Sequence, residues 1–173
     1  ATRTNRKEAE RVADLVFHHM RTRPLGETLG VVALSRVQAD LIVRLLDERR
    51  ILERDIDVWF DEETPEPFFV KNLENVQGDE RDHMIISIGY GPTVGSGAVP
   101  NRFGPLNIPG GERRLNVVVT RARQRVDLVH SLRASDIRAQ GEGPRLLRRY
   151  LEYVGNPTQA FEAQVSVDPS AES

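Results

Sequence analysis

Cysteine is absent from this sequence of 173 residues, and lysine occurs only twice, at Lys7 and Lys71, beside 22 arginines. The absence of cysteine excludes disulfide scaffolds, thiolate zinc sites and cysteine nucleophiles, and it is typical of a reducing compartment. No apolar run approaches the roughly 18 residues of a membrane-spanning helix, and the opening segment ATRTNRKEAE has no apolar signal-peptide region. We therefore expect a cytoplasmic protein that does not interact with membranes.

Histidine and net charge are also limited, with four histidines and a formal net charge of -2. His18 and His19 are neighbours and point away from each other on a helix, while His83 and His130 are isolated in sequence. We interpret all four as structural or surface residues and expect no metal site. The near-neutral net charge excludes a chain that is basic overall, as many nucleic-acid binders are.

Three common catalytic motifs are missing as well. The sequence contains no G-x-x-x-x-G-K-[ST] phosphate loop, no complete G-x-G-x-x-G and no G-x-S-x-G. The chain therefore carries no complete catalytic constellation of its own.

The apolar residues follow two kinds of pattern along the chain. Helical spacing begins after Asn5, where Glu8 completes a capping box, and it recurs in segments that begin near residues 36, 112 and 144. Short apolar runs predict buried strands at 30–34, 56–60, 84–88 and 126–130, and a further apolar group lies at 68–70. This alternation predicts an α/β fold with a mainly parallel sheet flanked by helices. Ligands of such sheets bind at the carboxyl ends of the strands.

Residues 89–112 have a different composition, since this stretch holds seven of the 13 glycines and four of the ten prolines. We expect it to be a loop without regular structure, and a loop of this length inside a domain is usually functional or disordered.

Two segments carry unusual polar patterns. The first contains Gln77-Gly78-Asp79-Glu80 before the strand at 84–88, and the second reads R-R-L-N-V-V-V-T-R-A-R over residues 113–123. We predict that the second is helical through Arg123, so that Arg114 and Arg121, seven residues apart, share nearly one face. On composition alone, an exposed and salt-bridged helix face is an equally good interpretation.

Together these segments resemble the C-terminal motor domain of superfamily 1 helicases, in the branch of the nonsense-mediated-decay helicase. In that family motif V has Q-G-x-E before a strand, and motif VI reads R-R-L-N-V-x-x-T-R-A-R. The order and the α/β pattern match over about residues 5–154. The G-P-L-N at 104–107 and G-G-E-R-R at 110–114 further resemble large bacterial helicase-like proteins of this branch.

The resemblance implies that residues 1–155 are a second RecA-like domain, a P-loop NTPase fold without its own P-loop, and that 156–173 are a polar tail or linker. The partners it implies are an N-terminal RecA-like domain and single-stranded DNA or RNA. ATP and Mg²⁺ would be bound mainly through that other domain. In the family the second domain inserts an arginine that stabilises charge on the γ-phosphoryl oxygens.

The motif match assigns individual roles on this basis. Arg121 matches the arginine finger, with Arg114 and Arg123 as supporting candidates, although Arg123 is also placed to pair with an acidic residue. Glu80 matches the residue that accepts from the nucleotide ribose, with an ion pair to Arg81 as the alternative. Gly78 permits the tight turn there, and Gln77 links the nucleotide and nucleic-acid sides.

Motif IV departs from the family pattern. Many relatives have P-Y-[RK]-x-Q, whereas Leu34-Ser35-Arg36-Val37-Gln38 stands here, and a serine cannot stack on adenine. Arg36 remains a candidate phosphate contact or an exposed residue at a helix start, and Gln38 a candidate for fixing the loop. Asn72 is a candidate contact to the phosphates of a nucleic-acid strand, or a cap of the backbone.

The sequence thus supports the motor half of an ATP-dependent helicase, inactive in isolation. A degenerate helicase-like module for regulation or assembly is the first alternative, favoured by the missing aromatic residue. A stand-alone nucleotide-binding domain is the second, and the missing phosphate loop argues against it.

Overall fold

Four short strands form one sheet in which every neighbouring pair is parallel, in the order β2-β1-β3-β4. The structure is a computed structural model that describes residues 4–92, 97, 99, 102–138 and 140–155. The strands are β1 (Leu29–Ala33), β2 (Phe69–Asn72), β3 (Arg81–Ser87) and β4 (Ala122–Val129). The α/β class with a parallel sheet is therefore confirmed, and the arrangement is consistent with a RecA-like fold.

Four helices cover the two faces of this sheet. They are α1 (Arg6–Thr22), α2 (Arg36–Leu52), α3 (Gly111–Val119) and α4 (Glu142–Gly155). Asn5 caps α1, because its side chain accepts from the Glu8 N–H. The return bond of the predicted capping box is not formed, since the Asn5 N–H donates to Gln38 Oε1 and the Glu8 carboxylate accepts from Asn5 Nδ2 instead. Side chains of β1 and β3 alternate between two cores, with Val31 and Ile85 facing α1 and α2 and Val32 and Ile86 facing α3 and α4. Burial on both faces explains the uninterrupted apolar runs of these strands.

The predicted strand at 56–60 was wrong. These residues belong to a 3₁₀ helix, Arg54–Phe60, whose Ile56 and Trp59 are buried against α1. Residues three apart lie on the same side of a 3₁₀ helix, so Ile56 and Trp59 both pack into the core although the segment is not a strand. The segment predicted to lack regular structure also differs in part. A 3₁₀ turn forms at Gly104–Leu106 and α3 begins at Gly111, while residues 93–96, 98, 100 and 101 lie outside the described part.

The helix predicted to run through Arg123 ends earlier. Thr120 caps α3 at its C-terminus, and the Arg121 carbonyl already accepts from the Arg81 N–H in the first contact between β3 and β4. Three valines and a threonine precede this point, and such β-branched residues lose side-chain freedom in a helix and favour strands. Arg121 therefore lies in a tight helix-to-strand turn, and Arg123 lies on β4, so neither shares a helix face with Arg114.

The parallel arrangement gives the sheet two distinct edges. We call the end where the strands begin the amino edge and the end where they finish the carboxyl edge, about 20 Å apart along the seven residues of β3. Among the described residues no helix combines the length and the apolar character needed to cross a membrane.

Candidate functional site

Arg121 and Glu80 meet at the amino edge of the sheet, opposite the carboxyl ends at which ligands of parallel sheets were expected to bind. Glu80 directly precedes β3 and Arg121 directly precedes β4, and the pairing of these neighbouring strands sets the two side chains together. The Arg121 Nη1 donates to Glu80 Oε1 at 3.0 Å. The Arg121 side chain is 26% exposed and that of Glu80 is 51% exposed, so the pair lies at the strand tips and not in the core.

The guanidinium of Arg121 has donor capacity that the protein does not use. Its Nε is buried and has no hydrogen-bond partner among the described residues. A buried N–H without a partner costs free energy, so such groups are rare unless they serve a ligand or a functional site. Because the Nε itself has almost no accessible surface, an oxyanion brought to this edge would meet the exposed part of the Arg121 side chain, which is 26% exposed.

Arg123 has a different role at the same edge. Its guanidinium donates to both carboxylate oxygens of Glu66, to Asp82 Oδ1 at 3.0 Å and to the Thr28 hydroxyl at 3.0 Å. The hydrogen bonds that Arg123 donates to Glu66 raise the pKa of Arg123, and the same bonds lower the pKa of the Glu66 carboxyl. Burial opposes ionisation of Asp82, but donors from Thr28 and Arg123 outweigh it and lower the pKa of Asp82. Arg123 therefore ties β4 to Thr28, just before β1, and to Glu66, in the segment before β2.

The loop that contains Gln77 and Gly78 approaches the amino edge from β2. Both residues are exposed, and an ion pair between Lys71 Nζ and Asp79 Oδ2 at 2.7 Å holds the loop to β2. Gly78 has a φ of 91°, a backbone conformation that side chains with a Cβ rarely adopt. The predicted tight turn at Gly78 is present, and it delivers the chain to Glu80.

Replacing Gly78 by alanine is expected to destabilise the chain by about 1 kcal/mol, because the added Cβ strains a left-handed turn. The free energy of unfolding from urea titration measures this. Gly26→Ala is the matched control, since a Cβ there meets no atom within 4 Å and its φ is not left-handed. Equal stability of the two variants would contradict the argument from backbone strain.

The structure does not bring every predicted residue to this edge. Gln38 and Arg36 lie at the start of α2, and Asn72 is the last residue of β2, so all three are at the carboxyl edge. Gln38 is fully buried, accepts from the Asn5 N–H at 2.8 Å, and donates to the Asn5 carbonyl and to the Ser87 hydroxyl. Its amide is thus used within the protein.

Arg36 and Asn72 differ in their exposure. The Arg36 side chain is 83% exposed and only loosely paired with Asp40, at 3.9 Å. Asn72 is buried, and its Nδ2 donates to Glu74 Oε2 at 3.4 Å. Arg114 lies on α3 and donates to the Pro105 carbonyl at 3.3 Å. This hydrogen bond holds the segment before α3 in place.

Two buried polar groups were missed in the sequence. Glu8 was recognised only as a capping residue, yet its carboxylate is buried and accepts from the Gly89 N–H at 2.7 Å and the Ser87 hydroxyl at 3.3 Å. His83 is isolated in sequence, but its buried ring contacts His19 and Asp127, which the sequence did not indicate. The partners are distant in sequence, so no local signal could have identified them. In the described part of the chain, no group of three or more His, Cys, Asp or Glu is placed to hold a metal ion.

Comparison with known proteins places these features in a family. A family model described as an AAA domain matches residues 1–132, that is 132 of 173 residues, and the chain therefore belongs to this family.

Two relatives are 38% identical to the chain over 156 residues. One is the protein named uncharacterized ATP-dependent helicase MG140 of Mycoplasma genitalium, and the other is its homolog from Mycoplasma pneumoniae. The alignment covers 86% of this chain but only 13% of either relative's length.

Proposed function

We propose that this chain is the second, C-terminal motor domain of an ATP-dependent helicase of superfamily 1, within the branch of the nonsense-mediated-decay helicase. Residues 1–155 form the domain in this proposal, and 156–173 a polar tail or linker. Motif order, membership of the AAA domain family and relatives named as ATP-dependent helicases support it. The observation that carries it is the Arg121–Glu80 pair at the amino edge, with its unused Arg121 donor.

In this proposal Arg121 acts on the triphosphate. A preceding RecA-like domain would supply the phosphate loop and hold Mg²⁺, which neutralises the phosphate charge when bound. Arg121 would approach the γ-phosphoryl oxygens, and its fixed guanidinium would stabilise the charge that develops there during transfer to water. Its ion pair with Glu80 at 3.0 Å holds the guanidinium at this edge, so little reorganisation is needed as the charge develops.

Glu80 orients the sugar end of the nucleotide. Its side chain is half exposed and accepts one donor from Arg121 through Oε1. A carboxylate has two oxygens and about four acceptor positions, so it is able to accept from a ribose hydroxyl as well. Gly78 and Gln77 then shape the approach to Glu80, and Arg123 positions β4 without touching the nucleotide.

We assign the carboxyl edge to the nucleic-acid strand. Arg36 is exposed there, which supports a contact to backbone phosphates of single-stranded DNA or RNA. Asn72 ends β2 at the same edge but is buried, so the exposed Arg36 carries this assignment. The sequence made Arg36 a candidate contact to the nucleotide, and we now propose that it contacts the nucleic acid instead. Gln38 becomes a support that joins the start of α1 to the end of β3, and Arg114 a support for the segment before α3.

One observation favours a second candidate, a helicase-like module that serves regulation or assembly without catalysis. Ser35, at the position of the family's aromatic residue, is buried and caps α2 by accepting from the Gln38 N–H at 3.3 Å. The base of a nucleotide therefore has no stacking partner at this position. The Arg121–Glu80 pair argues for catalysis nonetheless, and the full-length protein would act in the cytoplasm on either hypothesis.

Assays of the isolated chain of 173 residues test whether ATP binding and turnover depend on the other domain. We expect no ATP turnover above background and no binding of ATP below about millimolar Kd, because the phosphate loop and Mg²⁺ site belong to the other domain. Steady-state ATPase assays and calorimetric titration with Mg–ATP measure these quantities. Turnover that disappears in Arg121→Ala, or binding at micromolar Kd, would instead support a stand-alone nucleotide-binding domain.

A further inference from the structure

Two buried histidines form a chain of three polar contacts between α1 and the sheet. The Nε2 of His19 lies 2.9 Å from the Glu27 carbonyl oxygen, and its Nδ1 lies 3.0 Å from the Nδ1 of His83. The Nε2 of His83 in turn lies 3.1 Å from Asp127 Oδ2. Both histidines are 3% exposed, so water does not replace these contacts.

The two ends of this chain of contacts can only accept hydrogen bonds. Glu27 contributes a backbone carbonyl, and Asp127 contributes a carboxylate, to whose two oxygens Arg125 donates at 2.9 Å. Three hydrogen bonds in series between two acceptors require three N–H protons. Two neutral imidazoles supply only two, one for each ring. One contact in the neutral pair would therefore bring two lone pairs together inside the protein.

We propose that His19 and His83 form a single buried proton-binding site, which takes up one proton between the two rings and excludes a second. With one proton added, His19 Nε2–H donates to Glu27, His83 Nε2–H donates to Asp127, and the remaining proton is shared between the two Nδ1 atoms. A second added proton would place N–H groups on both Nδ1 atoms, 3.0 Å apart, with no acceptor between them.

The surroundings support one proton and not two. The titratable and charged groups that face the pair come from α1, from the segment after it and from β4, and they are His18, Arg23, Glu27, Arg125 and Asp127. Burial lowers the pKa of both rings, opposed at His19 by the Glu27 carbonyl and at His83 by the charge of Asp127. One added charge beside Asp127 is compensated, whereas two would repel each other and Arg125 in a site of low dielectric.

A solvent route to the pair is present. A cleft of about 320 Å³ is lined by His18, Thr22 and Arg23 on one side and by both buried histidines and Arg125 on the other. Protons therefore reach the rings without unfolding of α1. The Trp59 ring packs edge-on against His19 at 5.3 Å between centroids and closes another side.

A site that holds only one proton makes the folded protein less stable as pH falls. In the unfolded chain both histidines have an ordinary pKa of about 6.5 and take up two protons in acid. The folded pair holds one, so the unfolded state binds one proton more below this pH. The unfolding equilibrium constant then rises by up to about tenfold for each unit of pH decrease, through this pair alone.

Nitrogen NMR of the chain labelled with ¹⁵N-histidine tests the proton count directly. As pH falls from about 7 to about 5, across the ordinary pKa of histidine, we expect the pair to take up one proton, after which both Nε2 atoms are protonated and the two Nδ1 signals are intermediate between the protonated and bare forms. Two rings that stay neutral over this whole range, or two fully protonated rings, would overturn the proposal. This measurement needs no substitution and does not depend on the proposed helicase role.

Substitution provides the second readout. His83→Gln is expected to return His19 to a neutral tautomer with only Nε2 protonated, so that its Nδ1 signal shifts from the intermediate to the bare form. The acid dependence of unfolding is expected to stay the same, because the variant binds one proton when unfolded and none when folded, the same difference as in the parent. His18→Gln is the matched control, because it removes a neighbouring histidine that lies outside the chain of contacts. A His19 Nδ1 signal that stays intermediate in His83→Gln, or that shifts equally in His18→Gln, would contradict a shared site.

Discussion

Arg121→Ala in the full-length protein is expected to lower ATP turnover by about a thousandfold or more, while its folding and ATP affinity change little. An arginine that stabilises the transition state of phosphoryl transfer typically contributes a factor of this size. The loss corresponds to about 4 kcal/mol in the activation free energy. Arg121 contributes far less to folding, because a pair with a half-exposed carboxylate is worth at most about 1 kcal/mol.

The comparison of kcat with stability therefore separates catalysis from folding. Arg113→Ala is a matched control, since Arg113 belongs to the same arginine-rich segment but has an 88% exposed side chain and only a 3.7 Å contact to Glu112. We expect Arg113→Ala to retain parental turnover. Steady-state ATPase assays in the presence of single-stranded nucleic acid, with thermal unfolding of each variant, provide the data. An Arg121→Ala enzyme within about threefold of the parental kcat would refute the arginine-finger assignment and favour the regulatory module.

Arg123→Ala tests how far the two arginines differ in role. Arg123 holds Glu66, Asp82 and Thr28 and has no part in the Arg121–Glu80 pair. The network is partly exposed, so we expect its loss to reduce stability by about 1 kcal/mol and turnover only through that loosening. If turnover falls only because the variant is less stable, a lower assay temperature should restore it. If Arg123 contacts the nucleotide directly, turnover should stay low at every temperature.

Local sequence patterns predicted the elements whose stability is local. The helix cap at Asn5 and the apolar run of β1 were confirmed because a capping residue and a doubly buried strand have strong local signatures. The end of α3 was mispredicted. The charged residues around 113–123 favour a helix, but the Arg121 carbonyl accepts a hydrogen bond from the Arg81 N–H and begins the pairing with β3. A tertiary contact outweighed local propensity there.

The site was less accessible to prediction than the fold. Motif matching singled out Glu80 and Arg121, and sheet pairing then joined them across 41 residues of sequence. The same matching grouped Gln38 with them, although it lies at the opposite edge, because motif order contains no information about which end of a strand a residue occupies. The burial of Glu8 and the contact of His19 with His83 depend on packing between α1 and the sheet, which no local pattern encodes.

Glu8→Ala is expected to destabilise the chain by about 3 kcal/mol, because it leaves two buried donors, the Gly89 N–H and the Ser87 hydroxyl, without their acceptor. The buried carboxylate links the start of α1 to the end of β3, and its other oxygen accepts from Asn5 Nδ2 at 3.0 Å. Glu10→Ala is the matched control on the same helix. It removes only an exposed pair with Arg6 at 2.8 Å and should cost about 0.5 kcal/mol or less. Urea titration of the chain measures both, and equal stability of the two variants would contradict a structural role for Glu8.

The pH dependence of Glu8→Gln provides an independent check on the same group. Burial raises the pKa of the Glu8 carboxyl above its ordinary value of 4.5, although bonds from Gly89 and Ser87 oppose the shift. The folded state therefore binds this proton more tightly than the unfolded state, and the stabilisation is fully present below the ordinary pKa and is lost as pH rises through the raised value. Glutamine cannot take up the proton, so the difference in unfolding free energy between the parent and Glu8→Gln should grow as pH falls through this window. A difference that is constant with pH would show that the carboxyl titrates alike in both states, and burial would then have to be offset fully by its three hydrogen bonds.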